Sequence, residues 1–178
     1  MKVVVFDYLG SIDPDSVGAV MDVGTWQAQP GIADAIAHLN HHGWHVVQAV
    51  NQPGLGRGSL EIAELTAVQQ RLQKILNAAG GRIEAFFFCP HAPEEHCDCR
   101  KPAPGLLLQI AARCGVAPQE LWVVGLCQPH IQAGLAVGAK VALVMPDPSL
   151  HIDCTPCAQS PLPRYANWMA LAHALAPD

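Results

Sequence analysis

Five short apolar runs, rich in β-branched and aromatic residues, recur along the first 145 residues of the sequence. They occupy residues 2–6, 45–50, 84–88, 121–124 and 140–145. Apolar residues between these runs recur at intervals of three and four, which predicts helices over residues 30–43, 60–79, 104–114 and 128–137. Buried apolar strands that alternate with helices are typical of a parallel sheet covered on both faces. We therefore predict an α/β fold built on a doubly wound parallel sheet.

The remaining segments are predicted to be loops, with one further helix. Residues 8–29 show no sustained period, and residues 51–59 (NQPGLGRGS) resemble a turn that either holds a phosphate or is simply flexible. The spacing of their glycines, Gly54, Gly56 and Gly58, matches neither the P-loop nor the dinucleotide fingerprint. Residues 147–164 are expected to form an irregular tail before a last helix over residues 165–175.

Length and charge limit the classes of function. A chain of 178 residues predicts one domain over 1–178. Its net charge is −5 and it has no run of Lys or Arg, which argues against a nucleic-acid partner. No apolar stretch reaches the roughly 18 residues that span a bilayer, and no signal-peptide pattern opens the chain. We expect a soluble cytoplasmic protein with no membrane partner.

The segment CPHAPEEHCDC concentrates soft metal ligands. Its Cys89, His91, Cys97 and Cys99 form the pattern C-x-H-x5-C-x-C, in which two close pairs can surround one tetrahedral zinc ion. Such a closed site is structural rather than catalytic, and we predict a zinc loop over residues 89–101. His96 is a competing ligand. The seven cysteines are odd in number and unevenly spaced, which favours metal ligation or free thiols over a disulfide framework.

Two further groups of residues carry weaker signals. Arg100 and Lys101 follow the zinc loop and precede a predicted helix N-terminus, so they form either an anion clamp or a solvated basic turn. His151, Cys154 and Cys157 offer only three local ligands, so they either bind a metal or remain free to oxidise.

Three segments together resemble a known family. VNQPGLGRG, CPHAPEEHCDCRKPAPG and WVVGLCQPHIQAG follow one another as in the D-glycero-D-manno-heptose-1,7-bisphosphate phosphatases and the related histidinol-phosphate phosphatases of the haloacid dehalogenase (HAD) superfamily. The resemblance covers about residues 2–145. It implies a Rossmann-like domain with no large cap domain, a zinc loop that shapes the substrate pocket, and a phosphorylated metabolite, such as a sugar phosphate, as the ligand.

The resemblance also implies roles for individual residues. Asp7 matches the nucleophile that attacks phosphorus, and Lys101 matches the lysine that stabilises the phosphoaspartyl species. The implied substrate ligands are Asn51, Gln52, Arg57 and Arg100.

Four positions depart from the family pattern. Leu9 replaces the aspartate that acts as general acid, and Val50 replaces a hydroxyl residue that holds phosphoryl oxygens. Leu126 and His130 replace the two carboxylates that hold Mg²⁺. Losing a general acid alone typically costs about 10²- to 10⁴-fold in rate. Mg²⁺ binding is therefore doubtful, and the catalytic site is expected to be degenerate.

Three functions follow as hypotheses. The first is a pseudoenzyme that binds a sugar phosphate without hydrolysing it. The second is a Mg²⁺-dependent phosphatase that acts through Asp7, with Asp13, Asp15 or Asp147 as a substitute metal ligand. The third is a zinc-stabilised module that binds a protein partner.

Overall fold

The computed structural model describes residues 1–16, 19, 21–145 and 162–177. Its centre is a six-stranded sheet in the order β3-β2-β1-β4-β5-β6, in which every neighbouring pair is parallel. The strands are β1 (Lys2–Phe6), β2 (Trp44–Asn51), β3 (Ala85–Cys89), β4 (Trp122–Gly125), β5 (Lys140–Val144) and β6 (Arg164–Tyr165). The predicted doubly wound parallel sheet is confirmed.

The α-helices lie between the strands in the chain, apart from the last, which follows β6. They are α1 (Ile32–His41), α2 (Pro53–Arg57), α3 (Ile62–Ala78), α4 (Gly105–Cys114), α5 (Gln128–Ala136) and α6 (Trp168–Leu175). Local signals fix several ends. The Glu64 carboxylate accepts the Glu61 N–H at the start of α3, at 2.7 Å. Gly115 ends α4 in the left-handed conformation, with φ of 66°.

The residues of β1 alternate between two cores. Val4 and Phe6 belong to the core under α1, α3 and α6, and Phe6 packs against Trp168 with ring centroids 5.4 Å apart. Val3 and Val5 belong to the core under α4 and α5. Both faces of the sheet are therefore covered, which explains why its strands are apolar at consecutive positions.

The predicted and observed elements differ in three places. The expected turn at residues 51–59 contains the short helix α2, which begins at Pro53. The last helix begins at Trp168 rather than at residue 165, because residues 164–165 form β6 against the end of β5. The rest of the predicted irregular tail lies outside the described residues, and so do Asp147, His151, Cys154 and Cys157. No helix within the described ranges is long and apolar enough to cross a bilayer.

Strand register gathers polar residues at one edge of the sheet. Phe6 pairs with Val124, so Asp7 follows β1 beside Gly125 at the end of β4. Asn51 pairs with Cys89, so the ends of β2 and β3 are level. Ligands of open α/β sheets bind beyond the carboxyl ends of the strands, which makes this edge the place to look for a site.

Candidate functional site

Asp7 is a fully buried carboxylate at the end of β1. Its Oδ2 accepts the backbone N–H groups of Leu126 at 2.9 Å and Cys127 at 3.0 Å, whereas its Oδ1 has no hydrogen-bond partner among the described residues. A Cβ atom at Gly125 would overlap this carboxylate, so the close approach requires glycine. Burial raises the pKa of Asp7, and the Lys101 charge and the two N–H groups oppose that rise. The result is a carboxylate fixed in position, with one oxygen left unpaired.

Lys101 lies at the same edge and is almost completely buried. Its Nζ donates to the Ala49 carbonyl at 2.6 Å and to His130 Nδ1 at 2.9 Å. His130 Nε2 donates in turn to the Val5 carbonyl at 3.1 Å. Burial and the Lys101 charge hold the pKa of His130 well below its usual range, so the ring is neutral and its Nδ1 is an acceptor. His130 therefore holds the Lys101 ammonium in place.

Asn51 connects Lys101 to a second cation. Its Oδ1 accepts the Lys101 N–H and its Nδ2 donates to the Lys101 carbonyl, both at 3.0 Å. The same Nδ2 donates to Asp15 Oδ2 at 2.9 Å, and Arg100 Nη2 donates to Asp15 Oδ1 at 2.6 Å. One carboxylate thus bridges the Asn51 amide and the Arg100 guanidinium.

A small cleft opens between these groups. Its lining is Tyr8, Asp13, Asp15, Val50, Asn51, Lys101, Cys127 and Pro129. Asp13 Oδ1 accepts the Asp15 N–H at 2.9 Å. Burial raises the pKa of Asp13, and that hydrogen bond partly offsets the effect. The cleft therefore combines the Lys101 cation with two carboxylates, Asp13 and Asp15.

The predicted zinc ligands converge into one cluster. The ligand atoms of Cys89, His91, Cys97 and Cys99 all lie within 4.8 Å of one another, and their contacts of 3.2–3.6 Å include His91 Nδ1 to Cys99 Sγ at 3.3 Å. Ligands about 2.3 Å from a tetrahedral centre lie about 3.8 Å apart, so the cluster can hold zinc with little adjustment. Burial opposes ionisation of Cys97, but the Arg100 N–H and the Cys89 and Cys99 thiols lower its pKa to about 7. His96 is not part of the cluster.

The zinc cluster is physically continuous with the anion clamp. Arg100 and Lys101 directly follow the ligand Cys99, and the Arg100 N–H donates to Cys97 Sγ at 3.3 Å. The Arg100 side chain also reaches the His91 carbonyl, at 3.5 Å. An ion in the cluster would therefore fix the backbone from which both cations extend.

Other predicted site residues lie apart from the clamp. Gln52 is buried and lines a neighbouring cavity with Leu9 and Val50. Arg57 is half exposed and faces Glu94 across 3.7 Å. The roles of Gln52 and Arg57 as substrate ligands stay predictions, as do the roles of Asp7, Asn51, Arg100 and Lys101.

The four positions that are predicted to be degenerate make other contacts. Leu9 is buried in the core and its carbonyl accepts the Gln29 N–H at 2.9 Å. Val50 lines the cleft, and Leu126 packs partly buried against the same core as Leu9. Sequence reasoning recorded His130 only as a lost carboxylate and Asp15 only as a substitute metal ligand. Their contacts with Lys101 and Arg100 join residues that are 29 and 85 positions apart in the sequence, and no local pattern carries that information.

Comparisons with known proteins agree with this architecture. No family model matches the sequence. The D-glycero-beta-D-manno-heptose-1,7-bisphosphate 7-phosphatase of Pseudomonas putida is 40% identical over 144 residues, which cover 81% of this chain and 82% of that relative. A Neisseria meningitidis protein of the same name is 37% identical over 145 residues, covering 82% and 78%. The crystal structure of the D,D-heptose 1,7-bisphosphate phosphatase from Bordetella bronchiseptica matches with a TM-score of 0.83 and 35% identity over 98% of both chains.

The chain belongs to the heptose-bisphosphate phosphatase family. The predicted resemblance to HAD-like phosphatases is thereby confirmed. The Burkholderia thailandensis D,D-heptose 1,7-bisphosphate phosphatase, with a TM-score of 0.68 and 31% identity, covers the full length of both chains.

Membership of the heptose-bisphosphate phosphatase family raises the question of Mg²⁺, because the Bordetella bronchiseptica structure is a complex with magnesium and phosphate. Mg²⁺ prefers near-octahedral oxygen ligands, usually including one or two carboxylates. In this chain, Leu126 and Cys127 follow Gly125, and both ring nitrogens of His130 are hydrogen-bonded, one to Lys101 Nζ and the other to the Val5 carbonyl. Across the described residues, Cys89, His91, Cys97 and Cys99 are the only group of three or more His, Cys, Asp or Glu side chains close enough to hold one metal ion. Residues 126–130, which follow β4 beside Asp7, supply no carboxylate that could help to hold Mg²⁺ there.

Proposed function

We propose that this chain binds the phosphate group of a phosphorylated sugar and lacks the Mg²⁺-dependent turnover of the heptose-bisphosphate phosphatases. Arg100, Asn51 and Lys101 form the phosphate-binding frame, and Asp7 lies behind it. The names of the relatives support a sugar phosphate as the ligand class. The observation that carries the loss of turnover is that residues 126–130, which follow β4 beside Asp7, include no carboxylate.

The chemistry at Asp7 follows from its contacts. Two backbone N–H groups donate to Oδ2 and favour the ionised carboxylate that a nucleophile needs, whereas burial opposes ionisation and raises the pKa of Asp7. Without a divalent cation, however, the charge on a transferring phosphoryl group is neutralised by Lys101 and Arg100 alone. The leaving oxygen also lacks an acid at position 9, which costs about 10²- to 10⁴-fold in rate. Binding is retained while turnover is suppressed.

The zinc cluster supports binding indirectly in this proposal. A closed site of three thiolates and one imidazole leaves no open coordination position, so its ion shapes the loop and does not react. Because Arg100 and Lys101 begin where the ligands end, zinc orders the frame that holds the phosphate.

Asp13 favours a second candidate, an active phosphatase with substituted parts. Its carboxyl group lines the same cleft as Lys101, and burial raises its pKa toward the range of a general acid. In that case Asp13 protonates the leaving oxygen in place of the residue lost at Leu9. Asp147, predicted along with Asp13 and Asp15 as a substitute metal ligand, lies outside the described residues.

Calorimetry and a turnover assay separate the two candidates. Wild-type protein is titrated with D,D-heptose 1,7-bisphosphate and with histidinol phosphate in chelator-free buffer, without and with Mg²⁺. Binding that needs no Mg²⁺, together with phosphate release equal in wild type and Asp7→Asn, supports the proposed function. Mg²⁺-dependent release that disappears in both Asp7→Asn and Asp13→Asn establishes the second candidate. If neither ester produces heat or a thermal shift, the proposed function is wrong.

A further inference from the structure

Arg100, Asn51 and Lys101 already donate to acceptors within the protein. Arg100 donates to Asp15, Asn51 donates to Asp15 and to the Lys101 carbonyl, and Lys101 donates to Ala49 and His130. The Arg100 Nη2 and Asn51 Nδ2 hydrogens that Asp15 accepts therefore become available to an incoming phosphate only where the Asp15 carboxylate leaves.

Among those acceptors, Asp15 is the one that combines a loop position with a partly exposed side chain. The Ala49 and Lys101 carbonyls belong to the buried backbone of β2 and of the segment before α4, and His130 is fully buried in α5. Asp15 instead lies on the loop after β1, and 19% of its side chain is exposed. Its two oxygens bind the Arg100 guanidinium and the Asn51 amide as two oxygens of a phosphate would.

We propose that Asp15 is an internal occupant of the anion clamp and that it determines which ligand charge the site admits. The inference rests on the proposed function, since it concerns the same Arg100 and Asn51 side chains. A ligand displaces the Asp15 carboxylate, which carries one negative charge and then stays nearby on its loop. A monoanion replaces one charge with an equal one, whereas a dianion adds a further negative charge opposite Arg100 and Lys101. The site thereby selects dianionic phosphate monoesters over monoanionic groups of similar shape.

Two esters of one sugar test this selection. Glucose 6-phosphate is a dianion above its second pKa of about 6, and glucose 6-sulfate is a monoanion of nearly the same shape. Both esters are titrated into wild type and Asp15→Asn at about pH 7.5, which is roughly one and a half units above that pKa. Asp22→Asn is the matched control, because it removes one exposed negative charge from the same loop without touching the clamp. Arg100→Gln and Arg100→Gln/Asp15→Asn complete a double-mutant cycle.

The expected outcome is a change in affinity for both esters. Asp15→Asn tightens binding of the phosphate ester and of the sulfate ester at least about tenfold, because neither ligand then has to displace a carboxylate, and sulfate-ester binding that is too weak to detect in wild type becomes measurable. Asp22→Asn behaves as wild type, and Asp15→Asn has no effect when Arg100 is absent. If Asp15→Asn binds the phosphate ester and wild type shows no binding, the result also supports Asp15 as an internal occupant of the clamp.

Two results overturn the inference, and they are distinguishable. If wild type binds the phosphate ester and Asp15→Asn binds it equally or more weakly, Asp15 positions Arg100 rather than competing for it, and the proposed function survives. If no variant binds either ester while thermal denaturation shows all of them folded, both the inference and the proposed function fail.

Discussion

The Asp7 carboxylate combines complete burial with one oxygen that no donor satisfies. Such a group costs free energy in the folded state, and ionisation increases that cost. Because burial raises its pKa in the folded protein, the folded state binds this proton more tightly than the unfolded state. The contribution of Asp7 to stability is therefore greatest at acidic pH and is lost as the pH rises through the folded-state pKa.

We expect Asp7→Asn to stabilise the protein at neutral to alkaline pH and to lose that advantage in acid. Asparagine keeps the shape and can still accept the Leu126 and Cys127 N–H groups, but it carries no charge. The melting temperature at pH 8 should rise by about 2–4 °C, and the gap to wild type should close toward pH 5. Thermal denaturation at both pH values checks this, with Asp22→Asn as an exposed control. A gap that is the same at both pH values would contradict the assigned pKa shift.

His130 should be among the residues least tolerant of truncation. His130→Ala removes the acceptor of Lys101 Nζ and the donor to the Val5 carbonyl, and leaves a cavity between α5 and the sheet. We expect the free energy of unfolding in urea to fall by about 3 kcal/mol or more. His130→Gln, which can still accept and donate, should lose less, and the exposed His173→Ala should change little. Equal losses for Ala and Gln would mean that packing, not hydrogen bonding, is the role of His130.

At the scale of elements, we expect the zinc loop to be the segment most dependent on a bound ion. Its four ligand atoms lie within 4.8 Å of one another, and binding of a metal ion there would contribute to folding of the loop. We expect Cys97→Ser to lower the zinc content by one ion per chain, to lower the melting temperature, and to weaken phosphate-ester binding through Arg100. Elemental analysis and thermal denaturation measure the first two effects. Cys114→Ser, a half-buried thiol outside the cluster, is the matched control and should keep its zinc.

Elements with a strong local signal could be predicted from the sequence, and those fixed by distant contacts could not. Three consecutive valines in β1 read as a buried strand because both faces of the sheet are covered. The four zinc ligands could be predicted from the sequence because all of them fall within eleven residues. In contrast, β6 has only two residues, and pairing with β5, not its own pattern, makes it a strand.

Distant contacts also determine two features that the sequence does not predict, the helix α2 and the pairing of Asp15 with Arg100. The helix α2 contains two glycines in five residues, so its intrinsic propensity is poor. The Gly56 N–H donates to the Pro90 carbonyl at 2.8 Å, a contact with the zinc loop that only the folded chain provides. The pairing of Asp15 with Arg100 likewise depends on a loop after β1 meeting a loop after β3. Family motifs identified the residues of the clamp, but not which of them would bind one another.

At the scale of the whole molecule, the sheet edge that carries Lys101 and Arg100 also carries buried side chains at positions where the family resemblance implies carboxylates. Leu9 is 1% exposed, and His130 is completely buried. Apolar and neutral groups at such positions stabilise a fold more than clustered carboxylates do, which is the usual exchange between activity and stability. The fold itself is retained, as the TM-score of 0.83 to the Bordetella bronchiseptica phosphatase shows.

Restoring the carboxylates should therefore restore metal-dependent chemistry at a cost in stability. Leu126→Asp/His130→Asp returns two oxygen ligands beside Asp7, and the new carboxylate at position 130 can pair with Lys101 in place of the imidazole. We expect this variant to bind Mg²⁺ by calorimetry where wild type does not. Adding Leu9→Asp supplies the general acid, and Mg²⁺-dependent phosphate release from D,D-heptose 1,7-bisphosphate should rise at least about a hundredfold over wild type.

The controls for this restoration separate the site from the fold. The triple variant with Asp7→Asn added should bind Mg²⁺ more weakly and release no phosphate, because the attacking oxygen is gone. The triple variant should also melt at a lower temperature than wild type, since Leu9→Asp places a carboxylate in the core under α1 and α3. If Mg²⁺ binds and phosphate release still does not rise, then the Asp15 carboxylate bound to Arg100 still blocks the site. Adding Asp15→Asn should then raise phosphate release. Without a Mg²⁺-dependent gain in either background, the replaced carboxylates are not what separates this chain from an active phosphatase.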